Sequence, residues 1–137
     1  MTYERVWNPR QAWHASRVVK PSTESDRARE ERNWLTVPDL VDVLGVGVGR
    51  IHRLLEDKHL LAARVDGVLK VPADFIAGDE PLSELRGTLF VLADAGFDDD
   101  EAMEWLLAPE DSLGTAPIDA LRAGRKAEVR RVAQALG

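Results

Sequence analysis

The dipeptide Asp66-Gly67 separates two short runs of β-prone residues, 61–65 and 68–71. An Asp-Gly pair in this position favours a two-residue hairpin, because both central residues of a type I′ turn need a positive φ. Pro72 follows the second run, and a proline ends a strand because it has no N–H to donate. The sequence therefore predicts a tight two-stranded β-hairpin.

Two short amphipathic helices precede this hairpin directly. The first is expected to begin after an N-cap at Thr36 and to stop at Gly45, and the second to span residues 48–57. Their apolar residues recur at helical spacing. These residues are Leu35, Val37, Leu40, Val41, Val43 and Leu44, then Ile51, Leu54 and Leu55. A glycine-containing turn between two such helices is typical of a helix-turn-helix, and the hairpin makes it a winged helix-turn-helix over residues 36–72.

The rest of the chain is expected to be mostly helical. Four helices are predicted after the hairpin, over residues 81–95, from Asp98 to Pro109, over 118–123 and over 125–136. Asp98 with Glu101 three residues later matches a capping box. We therefore predict a mostly α protein with three parts: a flexible tail at residues 1–33, the winged motif at 34–78 and a helical module of about four helices at 79–137. Prolines and a polar run interrupt any periodic pattern in the tail.

Charge is distributed unevenly along these three parts. The chain has a net charge of −6. The tail carries 7 basic and 5 acidic residues, the winged segment 5 and 6, and the helical module 6 and 13. The acidic excess therefore lies in the last third, and it does not forbid a local contact with phosphates elsewhere.

The second helix of the motif predicts a DNA contact. A helix fits the major groove, and arginine is the commonest base reader because its planar fork matches two acceptors on guanine. Gly47 and Gly49 would let the backbone approach phosphate. The alternative is that these cations are ordinary solvated charges. The candidate DNA-binding residues on the helix, after it and on the hairpin are Arg50, His52, Arg53, Lys58, His59, Arg64 and Lys70. The hairpin strands are expected to matter more than the tip, where Asp66 would face phosphates.

No catalytic, metal or cofactor site is predicted. The chain has no cysteine, and its three histidines lie in separate segments without ligand spacing. The glycine run 45–49 lacks the strand and the spacing of a dinucleotide fingerprint, and no serine has a partner base. No apolar stretch is long enough for a membrane helix or a secretory signal. We therefore expect a cytoplasmic, nucleoid-associated protein that is not an enzyme.

The residues also resemble known families. The segment WLTVPDLVDVLGVGVGRIHRLLEDKHLLAARVDGVLKVPADFI is similar to the winged motif of excisionase-like and MerR-like regulators. Residues 34–137 resemble a family of small actinobacterial DNA-binding regulators. The segments that carry this resemblance are LLAARVDGVLKVP, the sequence AGFD at residues 95–98, MEWLLAPEDSL and PIDAL. One member of that family is a serine/threonine-kinase substrate. The resemblance implies double-stranded DNA as a partner and a kinase acting on the tail, where Thr2, Thr23 and the serines are the candidates.

The C-terminal part has a second resemblance. It is similar to the toxin-binding domain of Xre/MbcA/ParS-type antitoxins over the segment AMEWLLAPEDSLGTAPIDALRAGRKAEVRRVAQAL. The N-terminal motif of those antitoxins is of the Xre type, unlike the winged motif predicted in this chain. This similarity implies a homodimer or a protein partner bound through residues 79–137. Two functions stay open on the sequence: a DNA-binding transcriptional regulator, and an antitoxin-like or adaptor module that acts through its C-terminal helices.

Overall fold

The computed structural model describes residues 32–137. The predicted tail therefore lies outside the described residues except for Arg32 and Asn33. This part of the chain forms six α-helices and two small β-sheets. The helices are α1 (Val37–Leu44), α2 (Val48–Glu56), α3 (Leu85–Asp94), α4 (Asp99–Leu107), α5 (Pro117–Arg122) and α6 (Lys126–Gln134). The strands are β1 (Trp34–Thr36), β2 (Ala63–Val65), β3 (Val68–Pro72), β4 (Ile76–Ala77) and β5 (Glu80–Pro81), and a 3-10 turn covers Ala73–Phe75.

Helix α1 has the start and the stop that the sequence predicts. Thr36 Oγ1 accepts a hydrogen bond from the Asp39 backbone N–H at 3.3 Å, and Asp39 Oδ2 accepts one from the Thr36 backbone N–H at 3.0 Å. This reciprocal capping box satisfies two backbone donors that the helix leaves free. Gly45 ends the helix with φ +68°, a left-handed conformation that favours glycine.

The hairpin is confirmed, and it belongs to a larger sheet than predicted. Asp66 and Gly67 take φ values of 54° and 80°, so both central turn positions are left-handed. A third strand, β1, pairs antiparallel with β3 and gives the order β1-β3-β2. The prediction of two strands alone was incomplete, because Leu35 also fits the helical spacing of the residues after it and its partner strand is distant in sequence.

The C-terminal module has the four predicted helices. Three of them are shorter than predicted, and α5 (Pro117–Arg122) begins and ends one residue earlier than predicted. Helix α3 begins at Leu85 rather than near Pro81, since Glu80–Pro81 pairs with Ile76–Ala77 in a two-stranded ladder. The predicted cap at Asp98 is confirmed: Asp98 Oδ1 accepts from the Glu101 backbone N–H at 2.8 Å, and Glu101 Oε1 accepts from the Asp98 backbone N–H at 2.9 Å.

A continuous apolar core joins the winged motif to the C-terminal helices. Side chains from both parts belong to one cluster of buried residues. Its fully buried members include Leu40, Ile51, Leu60, Phe75, Leu85, Leu92, Leu106, Ile118 and Val129. Burial on this scale fixes the orientation of α2 relative to the remaining helices. The predicted division near residue 78 stays a prediction.

Arg32 ties the start of the described chain to both parts. Its guanidinium lies 3.0 Å from Asp74 Oδ2 and 3.0 Å from Asp119 Oδ2, and Nη2 also donates to the Leu107 carbonyl at 3.3 Å. Burial lowers the pKa of Arg32, but its hydrogen bonds with Asp119 and Asp74 outweigh that effect and leave the pKa above its ordinary value. Arg32 therefore stays charged and acts as a cross-link between the 3-10 turn, α4 and α5.

Candidate nucleic-acid interface

Helix α2 presents its polar side chains outward. Ile51 and Leu54 are buried, and helical geometry turns the residues between them toward solvent. Arg50, His52 and Arg53 are all exposed. Within residues 32–137, Arg50 and Arg53 make no ion pair. The helix therefore carries two arginines whose charge is available to a ligand.

The side chain of Arg53 runs back along the helix toward its N-terminal end. A Cβ built on Gly49, one turn earlier, would lie 3.9 Å from Arg53 Nη1. Long helical side chains lean toward the N-terminus, and 3.9 Å is an ordinary van der Waals separation, so a methyl group at residue 49 would leave Arg53 in place. The guanidinium consequently lies beside the first turn of α2.

The two residues after α2 have different surroundings. Lys58 takes a left-handed φ of 68°, and its Nζ lies 2.9 Å from Asp99 Oδ1 at the start of α4. His59 is exposed, while its backbone N–H donates to the Leu54 carbonyl at 2.9 Å. Lys58 is thus partly neutralised by the C-terminal module, which the local sequence did not indicate.

The two hairpin cations lie in separate places. Arg64 is exposed on β2, and its Nη1 donates to the Gly67 carbonyl in the turn at 3.2 Å. Lys70 is half-buried on β3 opposite Thr36, and its charge contributes to the low pKa of Asp39 after the hydrogen bonds from Thr36. Arg50, His52 and Arg53 therefore share helix α2, whereas Lys58, Arg64 and Lys70 lie on other elements.

Two residues beside this surface were missed by the sequence reasoning. Glu56 is exposed on α2 one turn after Arg53, and the helical period alone could have shown this. Arg86 of α3 donates from Nε to the Asp57 carbonyl at 2.7 Å, and its guanidinium carbon lies 4.8 Å from the Phe90 ring centroid. No local signal could have placed Arg86 at the end of α2, because the contact spans 29 positions.

Helix α6 also carries exposed cations without an ion pair among residues 32–137, namely Lys126, Arg130 and Arg131, but α2 is the helix that lies between the helix-turn and the hairpin. Residues 32–137 contain no group of three or more histidine or carboxylate side chains placed to hold a metal ion. Their helices include none with the length and apolar character needed to cross a membrane. The exposed face of α2 is therefore the best candidate site.

Two packed helices, a wing and an exposed basic second helix define a winged helix-turn-helix protein. Residues 22–76 match the family model described as "DNA-binding protein Rv2175c, wHTH domain". Residues 82–137 match the model described as "Rv2175c C-terminal domain of unknown function". The chain therefore belongs to the Rv2175c family, which confirms the resemblance to small actinobacterial regulators.

A curated relative and a solved structure agree with this assignment. The chain is 34% identical over 113 residues to "DNA-binding protein Rv2175c" of Mycobacterium tuberculosis (strain ATCC 25618 / H37Rv), which covers 73% of this chain and 77% of that protein. The NMR structure of Rv2175c matches with a TM-score of 0.71 and 30% identity, covering 88% of this chain and 86% of that one. The C-terminal family has no described function, so the antitoxin-like resemblance stays a prediction.

Proposed function

We propose that this chain binds duplex DNA through α2 and its wing and acts as a transcriptional regulator. The observation that carries the proposal is the exposed face of α2, where Arg50 and Arg53 have no ion-pair partner among residues 32–137. The relative that shares its fold and a third of its residues is named a DNA-binding protein. In this role the chain is a binding protein rather than an enzyme, and it works in the cytoplasm at the nucleoid.

The dimensions of α2 suit the major groove. Its 9 residues extend about 14 Å along the axis, against a groove about 12 Å wide. Arg50 and Arg53 would each meet guanine O6 and N7 through two donors, and His52 lies between them in sequence. Arg64 and Lys70, with His59 beyond the helix, would contact the phosphates that flank the groove.

The small number of cations limits the affinity of one chain. The logarithm of the binding constant falls linearly with the logarithm of salt concentration, and the slope is proportional to the number of phosphates contacted. A motif with a few placed cations should show a shallow slope and modest affinity. Specific recognition then needs a second copy on an adjacent half-site, and residues 79–137 are the part we propose for self-association. We also propose that a kinase acts on the tail, at residues that lie outside the described part of the chain.

A fluorescence anisotropy titration with a labelled duplex tests the DNA contact. The variant Arg50→Ala with Arg53→Ala should bind at least about tenfold more weakly and discriminate less between duplex sequences, with little change in salt slope, because these arginines are assigned to base edges rather than to phosphates. The matched control is Lys126→Ala with Arg131→Ala, which removes the same charge from exposed positions on α6. Equal losses of affinity in both double variants would show that the effect comes from net charge, and would reject the placement of α2 in the major groove.

A protein-binding role is the second candidate, and a groove in the C-terminal module favours it. Phe97, Trp105 and Pro109 line a groove of about 370 Å³ together with Glu101 and Glu104. The indole Nε1 of Trp105 is buried without a hydrogen-bond partner. Capture of a partner that Trp105→Ala abolishes, in a chain with no affinity for DNA, would favour this role over the regulator.

A further inference from the structure

We infer that Gly49 determines how deeply α2 enters the DNA groove, because at this position the helix backbone itself lies against the base edges. Gly49 would then be a residue that sets affinity and specificity without contributing a side chain. The inference rests on the proposed DNA-binding function and adds a residue to the surface that performs it.

The fold itself gives no reason for a glycine at residue 49. Gly45 and Gly67 take left-handed conformations, whereas Gly49 does not. Beyond the adjacent residues and the helix's own backbone, the described residues place one atom within 4 Å of a Cβ built there, Arg53 Nη1 at 3.9 Å, which is an ordinary contact. Gly49 is the second residue of α2, and glycine loses more conformational freedom than alanine when it becomes helical. Alanine would therefore suit the isolated protein at least as well, which favours a cause for the glycine outside it.

The position of Gly49 on the helix indicates what that cause is. Gly49, Arg53 and Glu56 follow the i, i+4, i+7 spacing and share one exposed face, opposite the buried Ile51 and Leu54. The N-terminal residues of a recognition helix are the ones that reach base edges. A side chain at residue 49 would stand between the backbone and those edges.

The side chain of Arg53 lies over the same turn of the helix. Its guanidinium leans over Gly49, although Glu56 lies only three residues away on the same face and forms no ion pair with it within the described residues. The base-reading group and the bare backbone thus occupy the same turn. Val48 beside them is 52% exposed, so the first turn presents a small apolar surface next to the guanidinium.

The test is a size series at residue 49, measured for both stability and DNA binding. Gly49→Ala should raise Tm by roughly 4 °C, because alanine favours the helix, and yet weaken binding on the order of tenfold. Gly49→Leu should keep the higher Tm and bind still more weakly. A variant that gains stability and loses affinity cannot be explained by a damaged fold.

The Arg53→Ala background separates the backbone from the side chain. Gly49→Ala should weaken binding in that background as well, since the added methyl keeps the helix away from the bases. No further loss there would mean that Gly49 acts only by making room for Arg53, and would overturn the inference. An unchanged affinity of Gly49→Ala in the wild-type background, with Arg53→Ala still impaired, would also overturn it while sparing the proposed function. A wild-type chain without DNA affinity would instead reject the proposed function.

Discussion

Lys58 Nζ lies 2.9 Å from Asp99 Oδ1, so a carboxylate at the start of α4 holds a cation that follows the candidate recognition helix. Both side chains reach solvent, with 36% and 63% of their surfaces exposed. An ion pair between exposed groups in water is weak, and Lys58 can exchange its carboxylate for a phosphate at little cost. In the proposed complex the acidic module would therefore compete with DNA for Lys58.

Removing the competing carboxylate should strengthen DNA binding. We expect Asp99→Asn to raise affinity about two- to fivefold at low salt and to lose this advantage at high salt, because screening weakens exposed charges. Anisotropy titrations at several salt concentrations measure it. Asp100→Asn is the matched control, since it removes an equal charge that forms no ion pair with Lys58. If both variants gain equally, the gain reflects net charge and the Lys58 contact has no special role.

Arg32 should contribute more to stability than an exposed ion pair does. Only 15% of its side chain is exposed, and it bonds two carboxylates and the Leu107 carbonyl. Arg32→Met should reduce the free energy of unfolding by about 1–3 kcal/mol, a range that allows for the solvent exposure of Asp74 and Asp119. Urea denaturation measures this loss. Arg125→Met, which breaks the pair with one carboxylate, Glu128, and the hydrogen bond to the Leu113 carbonyl, should cost clearly less, because Arg125 is more exposed than Arg32. A loss as large as that of Arg32→Met would contradict the cross-link.

The features that the sequence predicted correctly all depend on neighbours in the chain. The turn at Asp66-Gly67, the cap at Thr36 and the stop at Gly45 need only a few adjacent residues to define their backbone. The exposure of Arg50 and Arg53 follows from the helical period that buries Ile51. Local patterns were therefore enough for the winged motif and for the central part of its candidate surface.

The features that the sequence did not predict depend on residues far apart. Strand β1 exists because Leu35 pairs with Val71, and three residues are too short to show an alternating pattern. The Arg32–Asp119 contact spans 87 positions, and the one between Lys58 and Asp99 spans 41. Such pairings arise only when the core packs, so no local pattern indicates which cations are already neutralised.

The capping box of α1 makes stability depend on pH. The backbone hydrogen bond from Thr36, followed by its side-chain hydrogen bond and the charge of Lys70, holds the pKa of Asp39 below its ordinary value. A carboxyl whose pKa is lower in the folded state stabilises the fold above the unfolded pKa, about 3.9, and this contribution is lost as the pH falls through the folded pKa. Asp39→Asn should therefore be less stable than wild type near pH 7, with the difference shrinking below about pH 4.

Urea denaturation midpoints across this pH range measure the Asp39 effect. Asp42→Asn is the control, because Asp42 lies on the same helix without a capping hydrogen bond. Its difference from wild type should change little over the window in which that of Asp39→Asn shrinks. A constant difference for Asp39→Asn would show that the ionised carboxylate contributes nothing to the cap.

The winged motif and the C-terminal helices should unfold together. Phe75 lies between the two parts in sequence and is fully buried. One apolar cluster contains side chains from both parts. Native-state hydrogen exchange should therefore give similar opening free energies for the slowest amides of α2 and α4. Phe75→Ala should lower both by about 3–5 kcal/mol, since the cavity is shared. If α2 instead opens well before α4, and Phe75→Ala affects only one of them, the boundary near residue 78 separates two independent folding units and the shared core is not cooperative.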